Sequence, residues 1–265
     1  MNNGFEIITL TTDFGAQDWF VGAIKGVILQ LAPKVGLVDI AHGIAPGDIR
    51  AGAFALAAAT PFFPPHSIHV AVVDPGVGSP RAAIAIQTDR GIFVGPDNGV
   101  LSWALRACAI RRVHRLDNPR YRAPLVSQTF HGRDIFAPAA AHLARGVPLQ
   151  RLGAKLERFQ RLPWPEVAAS QKQFRGEVLY LDRFGNAITN LANTLLDGRR
   201  GGWAIQCGQR THCPVRACYA AVPSGKPVAV PGSTGFLEIA VNGGNAARAL
   251  RLRPGALVRL APDAG

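Results

Sequence analysis

Charged and polar residues gather in four short segments, each in a glycine-marked turn or directly after an apolar run. They are Thr11-Thr12-Asp13-Phe14-Gly15 with Asp18 beyond it, Asp74-Pro75-Gly76-Val77-Gly78-Ser79-Pro80-Arg81, Phe130-His131-Gly132-Arg133-Asp134, and Asp182-Arg183-Phe184-Gly185-Asn186. Loops carried by a rigid scaffold are where catalytic and binding groups concentrate. An imidazole, a guanidinium and carboxylates are the side chains that orient, polarise and deprotonate a nucleophile. Each has a plainer use as well. Asp74 and Arg81 could form only a loop ion pair. His131, between an aromatic and a glycine at a helix entry, could be a structural hydrogen-bonder, and His42 in Ala41-His42-Gly43 is the second choice among the histidines. Asp13 ends a strand, where a carboxylate can meet a ribose diol or a cationic ligand, and it also lies near enough to a helix entry to cap it. Asp18 is spaced equally well for a helix N-cap and for a ligand contact. The Gly76-x-Gly78 pair lacks a third glycine and a Lys-Ser/Thr pair, so it does not read as a phosphate cradle.

The elements that must present these groups alternate in the first part of the chain. Residues 6–12 are rich in β-branched types, and Phe20, Ile24, Val27, Ile28 and Leu31 recur at helical spacing. Residues 35–40 read as a second strand, 50–59 as a second helix and 67–73 as a third strand running into Asp74. That βαβαβ order predicts a mainly parallel sheet sandwiched by helices, with ligands beyond the carboxyl ends of the strands. Residues 83–88 and 91–95 read as an added hairpin, and 101–107 and 135–145 as further helices. The stretch 150–172 is polar and basic and carries Pro163-Trp164-Pro165, which suits a linker that wraps an adjoining surface. We expect an N-terminal α/β domain over 1–160, a linker over 161–173, and a smaller antiparallel β-barrel-like domain over 174–265.

Composition narrows the function classes. With 48% hydrophobic and 17% charged residues, the 265-residue chain can bury a substantial core. The N-terminal residues show no basic segment followed by an apolar run, and no apolar stretch approaches the ~20 residues of a membrane helix. We expect a cytoplasmic protein without membrane contact. Cys108, Cys207, Cys213 and Cys218 form no Cys-x-x-Cys pair, and burial as small apolar residues is the favoured reading. No metal is expected. The net charge of +12 invites a nucleic-acid partner, but the arginines are scattered rather than blocked, which argues against one.

Taken in order, six segments resemble the S-adenosylmethionine hydroxide adenosyltransferases, hydrolytic relatives of the enzymes that make fluorinated and chlorinated nucleosides. They are TTDFG at 11–15, VDPGVGSPR at 73–81, GPDNGVL at 95–101, FHGRDIFAP at 130–138, DRFGNAITN at 182–190 and GSTGFLEIAVNGGNAA at 232–247. The resemblance spans nearly the whole chain. It implies hydrolysis of S-adenosylmethionine to adenosine and methionine without a cofactor, with Asp74, Arg81 and His131 handling the water. It further implies that Asp13 holds the ribose diol, Asp18 and Asp182 face the methionine amino group, and Asn186 meets the adenine edge. Tyr219 would stack on adenine, with Ser233, Asn242 and Gly243 completing the contacts. A homotrimer with each pocket at a subunit interface is implied too. Halogenating relatives carry a serine where this chain has Gly132, and a tyrosine where it has Asp74. Water is therefore the expected nucleophile. Thr234 stands where those relatives place an arginine against the methionine carboxylate. The alternatives are a halide-dependent adenosyltransferase and a non-catalytic S-adenosylmethionine- or nucleoside-binding protein.

Overall fold

The computed structural model describes residues 5–170, 173–199, 201–208 and 211–263; residues 1–4, part of the segment read as carrying no leader, lie outside them. The chain divides into two units, Met1–Pro163 and Trp164–Gly265.

In the first unit, β1 (Ile7–Thr12), β2 (Gly36–Ala41), β3 (Ser67–Val72), β4 (Ala83–Thr88), β5 (Gly91–Pro96) and β6 (Ile110–Arg115) form one sheet in the order β2-β1-β3-β5-β4-β6. The β1–β2, β1–β3 and β3–β5 pairs are parallel, while β4 runs antiparallel to β5 and β6. Successive side chains of a strand point to opposite faces, so each strand feeds two layers. Ile68, Val70 and Val72 pack with Ile24 and Ile28 of α1 (Phe20–Leu31) and with Leu143 of α3 (Ala137–Ala144). Ala71 and Val73 pack on the other face with Leu56 of α2 (Ile49–Ala59). Every residue of β3 is buried, as expected of a strand covered by helices on both sides. Asp48 caps α2 by accepting from the Ala51 backbone N–H at 2.9 Å. Helix α1 starts after Trp19 with no side-chain cap, so Asp18 does not serve as one.

Two local expectations change. Residues 101–107 contain only a 3-10 turn, Ala104–Ala107, because Leu101, Trp103, Ala104 and Leu105 are all buried and leave no amphipathic face for a longer helix. The expected helix at 135–145 is a π-helical turn, Gly132–Phe136, followed by α3, whose second residue Pro138 has no N–H to donate. Described residues of the expected linker, 161–173, make contacts within their own units. The Leu162 N–H donates to Ser102 Oγ at 2.9 Å in the first unit. In the second unit Trp164 lies against Phe236 with ring centroids 5.5 Å apart, and β7 (Ala168–Ser170) pairs with β8 (Gln173–Leu181).

The second unit also contains β9 (Ala187–Ala192), β10 (Trp203–Cys207), β11 (Thr211–Pro214), β12 (Pro227–Pro231), β13 (Phe236–Val241), a short α4 (Ala246–Ala249) and β14 (Leu257–Pro262). The sheet order is β11-β10-β14-β8-β9-β13-β12, antiparallel throughout. Just beyond β11, Val215 bridges Ala229 of β12 and the Arg216 N–H donates to the Ala229 carbonyl at 2.9 Å. The two sheet edges thereby meet in a nearly closed barrel around Val178, Leu191, Ile205, Leu237, Ile239 and Leu260. Cys207 and Cys213 are buried in it, whereas Cys108 is half-buried and Cys218 is exposed, against the expectation that all four are interior. Cys218 follows β11 on a surface turn where no apolar layer covers it. Among the described residues no helix is long and apolar enough to cross a membrane.

Candidate active site

Asp74 leaves the carboxyl end of β3 at the start of a tight turn, in which the Val77 N–H returns to the Asp74 carbonyl at 3.2 Å. The turn brings Arg81 back over Asp74. Arg81 donates from Nε to Asp74 Oδ1 at 3.0 Å and from a terminal nitrogen to Oδ2, a two-pronged ion pair with side chains 10% and 4% exposed. The same guanidinium reaches His131 Nδ1 at 2.6 Å and lies over the Phe136 ring, 5.5 Å from its centroid. A guanidinium only donates, so Nδ1 is the acceptor and the neutral His131 ring carries its proton on Nε2. Burial and the neighbouring Arg81 charge hold the His131 pKa below its ordinary value of 6.5, with Asp74 opposing in part. Carboxylate, guanidinium and imidazole thus form one buried chain of contacts running from Asp74 through Arg81 to His131, the last two 50 residues apart.

Two close approaches set that chain. Gly78 has φ +78°, and a Cβ there would lie 2.4 Å from the Gln128 carbonyl oxygen, so the Asp74–Arg81 turn presses on the backbone leading to His131. Replacing Gly78 by alanine is expected to lower stability by at least about 1 kcal/mol from the left-handed backbone alone and to reduce turnover as the turn retreats. Thermal unfolding and rate measured on the same preparation check this, and an unchanged protein would contradict it. Phe14, Phe20 and Phe130 form an edge-to-face cluster beside His131, and a Cβ on Gly132 would meet Ile24 at 3.0 Å.

The loop after β1 is stitched to the loop after β2. Asp13 Oδ2 accepts from the Gly47 N–H at 2.7 Å, Thr12 Oγ1 lies 2.8 Å from His42 Nδ1, and the Gly15 N–H donates to the His42 carbonyl at 2.8 Å. Gly47 in turn packs on Pro75, with its Cβ position 3.5 Å from the ring. His42 is thus a structural hydrogen-bonder. Asp13 is part-buried at the end of β1, and Asp18 is exposed.

In the second unit a cavity of about 710 Å³ is lined by all six candidates of that unit: Asp182, Asn186, Tyr219, Ser233, Asn242 and Gly243. Asp182 accepts from the Asn186 backbone N–H at 2.8 Å and from its side-chain amide at 3.0 Å, so it also shapes the loop that presents Asn186. Asn242 donates from its amide to the Val222 carbonyl at 2.7 Å, tying the turn at Gly243, where φ is +68°. Sequence reasoning missed Glu238, a 7% exposed carboxylate in the cavity wall. The signal was a lone acid inside the apolar strand Phe-Leu-Glu-Ile-Ala-Val. It also missed Phe184, 77% exposed at the rim. Among the described residues no group of three or more His, Cys, Asp or Glu side chains could hold a metal ion.

Residues 8–153 match the sequence family described as SAM hydroxide adenosyltransferase N-terminal domain, and residues 176–259 match its C-terminal domain. The chain belongs to the SAM hydroxide adenosyltransferase family. A relative from Thermus thermophilus, named (R)-S-adenosyl-L-methionine hydrolase, is 45% identical over 258 residues, covering 94% of this chain and 97% of the relative. Three further relatives of that name are 42%, 42% and 40% identical. A fluorinase from Nocardia brasiliensis is more distant, 27% identical with 98% of each chain covered. The solved structure of an uncharacterized conserved protein from Thermotoga maritima aligns with a TM-score of 0.90 at 35% identity, over 96% of this chain and 99% of that one. Within this hydroxide adenosyltransferase chain, the first unit carries Asp13, Asp18 and the Asp74–Arg81–His131 chain, and the second carries the cavity.

Proposed function

We propose that the protein hydrolyses S-adenosyl-L-methionine to adenosine and L-methionine. The observation that carries this reading is the contact of Arg81 with both Asp74 and His131 in one buried cluster. Four family members named as hydrolases of this substrate, at 40% identity or more, support it.

The sulfonium makes ribose C5′ reactive: its C–S bond breaks with the electron pair going to sulfur, which leaves as a neutral thioether. No acid is needed at the leaving group, and no cofactor enters the reaction. Bulk water, with a pKa of about 15.7, needs orientation and a proton acceptor. With Nδ1 engaged and Nε2 protonated, His131 donates to the water oxygen and aims a lone pair at C5′. Arg81 favours the hydroxide-like oxygen electrostatically, and Asp74 takes the proton as the C–O bond forms. Protonating His131 would place a hydrogen on Nδ1 against Arg81 and break the chain. Turnover is therefore expected to hold at neutral pH and fall only below about pH 6.5, because the His131 pKa is lowered. A rate profile whose acid limb lies above 6.5 would contradict it.

On this reading Asp13 binds the ribose diol, Asp18 and Asp182 face the methionine amino group, and Asn186 and Tyr219 take the adenine. Ser233, Asn242 and Gly243 complete the enclosure. We also place the protein in the cytoplasm as a homotrimer, the first unit of one subunit sharing each substrate with the second unit of its neighbour. Two partial ligand sets, one per unit, support that arrangement. Co-expressing Asp13→Ala and Asn186→Ala subunits, each inactive alone, is expected to restore about one quarter of wild-type activity by random assortment in a closed ring. No recovery in hybrids shown to be mixed would sink the shared pocket.

The deciding experiment is incubation with S-adenosylmethionine in heavy-oxygen water. Heavy oxygen at the 5′ position of adenosine is expected. Substrate that stays bound and intact, or a halogenated nucleoside formed with chloride or fluoride present, would overturn the hydrolase.

A further inference from the structure

Glu238 sits in the middle of β13 with 7% of its surface exposed, yet it faces the cavity of the second unit. Among the described residues none of the ion pairs involves it. Its partner is the Tyr219 hydroxyl, which donates to Oε1. Its other oxygen lies beside Gly232, where a Cβ would stand 2.8 Å from Oε2; glycine at 232 keeps that space open. A buried carboxylate without a cation is costly unless a donor meets it, and a hydrogen bond to an ionised acceptor is among the strong ones.

Tyr219 needs such an anchor. It belongs to a three-residue 3-10 turn, Tyr219–Ala221, and the residue is 42% exposed. Burial together with the Glu238 charge raises the phenol pKa, so the hydroxyl stays protonated and keeps donating across the working range of pH.

We propose that Glu238 is a positioning residue: its carboxylate holds the Tyr219 ring in the cavity wall against the purine, setting affinity for the nucleoside part of the substrate rather than the rate of bond cleavage. The inference rests on the assignment of this cavity to the adenosyl group. Glu238 touches Tyr219 and acts through it. Gly232 belongs to the same device, since any larger residue there would displace the carboxylate.

The test compares wild type with Glu238→Ala, Tyr219→Phe, their double variant and Glu238→Gln, measuring KM and kcat for S-adenosylmethionine and, by calorimetry, the affinity for adenosine alone. Glu238→Ala and Tyr219→Phe are each expected to raise KM about tenfold and to weaken adenosine about equally, with far smaller effects on kcat. The double variant should lose no more than either single variant, since both break one contact. Glu238→Gln, whose amide oxygen still accepts the phenol proton, should recover most of the affinity and also serves if the alanine variant folds poorly. Multiplying effects in the double variant, a loss confined to kcat, or a glutamine variant as weak as alanine would overturn the proposal. Adenosine binding separates the two readings. A wild type that binds adenosine without cleaving S-adenosylmethionine removes the hydrolase reading and still tests the Tyr219–Glu238 coupling.

Discussion

Replacing Arg81 by alanine is expected to abolish practical turnover, lowering kcat by about 10³-fold, the scale of removing one preorganised charge from a reaction site. Three effects combine. The charge that favours a hydroxide-like oxygen disappears, His131 Nδ1 loses the donor that settles its tautomer, and Asp74 is left as a buried carboxylate with a side chain only 4% exposed. The last effect also costs stability, about 3 kcal/mol for stripping one partner from a buried pair. Arg81→Lys separates charge from geometry. A lysine keeps the cation but lacks the fork that engages Asp74 twice and His131 once, so a loss of at least about tenfold in kcat is expected with the fold preserved. Steady-state kinetics beside an unfolding curve check both variants. Arg81→Ala with a wild-type kcat would remove the Asp74–Arg81–His131 chain from the mechanism.

A second large effect concerns stability rather than chemistry. His69 lies inside the first unit, 3% exposed, its Nδ1 2.9 Å from Thr9 Oγ1 and its ring 5.0 Å from that of Phe93. Burial lowers its pKa from 6.5 to about 4. The folded value lies below the unfolded one, so the unfolded chain takes the proton first as pH falls. Stability from this site is complete above about pH 6.5, declines between 6.5 and 4, and is flat below. The decline amounts to about 3 kcal/mol at 1.36 kcal/mol per pH unit. His69→Gln keeps a partner for Thr9 but does not titrate. Urea unfolding at pH 7 and pH 4 should show the variant losing about 3 kcal/mol less than wild type. Parallel losses in the two proteins would show that His69 is not the acid-sensitive group.

Several candidate residues stand out in the sequence by type and position. Asp13, Asp74 and His131 stand in segments whose glycines and strand-end positions mark them, and the structure places Asp74 and Arg81 seven residues apart on one turn. The alternation of strands and helices in the first unit is legible as alternating apolar runs, and β3, buried along its whole length, is mostly apolar accordingly. Glu238 shows the limit. One acid in an apolar strand reads as a flaw in the pattern until Tyr219, nineteen residues earlier, is found donating to it. Within the expected linker at 161–173, Trp164 packs on Phe236 and Asn190 donates to the Pro165 carbonyl at 3.0 Å, contacts that proline and polar composition alone do not specify.

Properties set by neighbours along the chain were determined by the sequence alone: where strands alternate, where glycine must turn the backbone, and which polar types stand at strand ends. Those depend on local dihedrals and side-chain period, which a reader of residues can follow. The tertiary structure alone decided that the Arg81 guanidinium bridges Asp74 and His131, and that it meets the latter at Nδ1. That contact spans fifty residues and depends on how closely the turn at Gly78 can press on Gln128, a distance that sheet packing sets and no local pattern encodes.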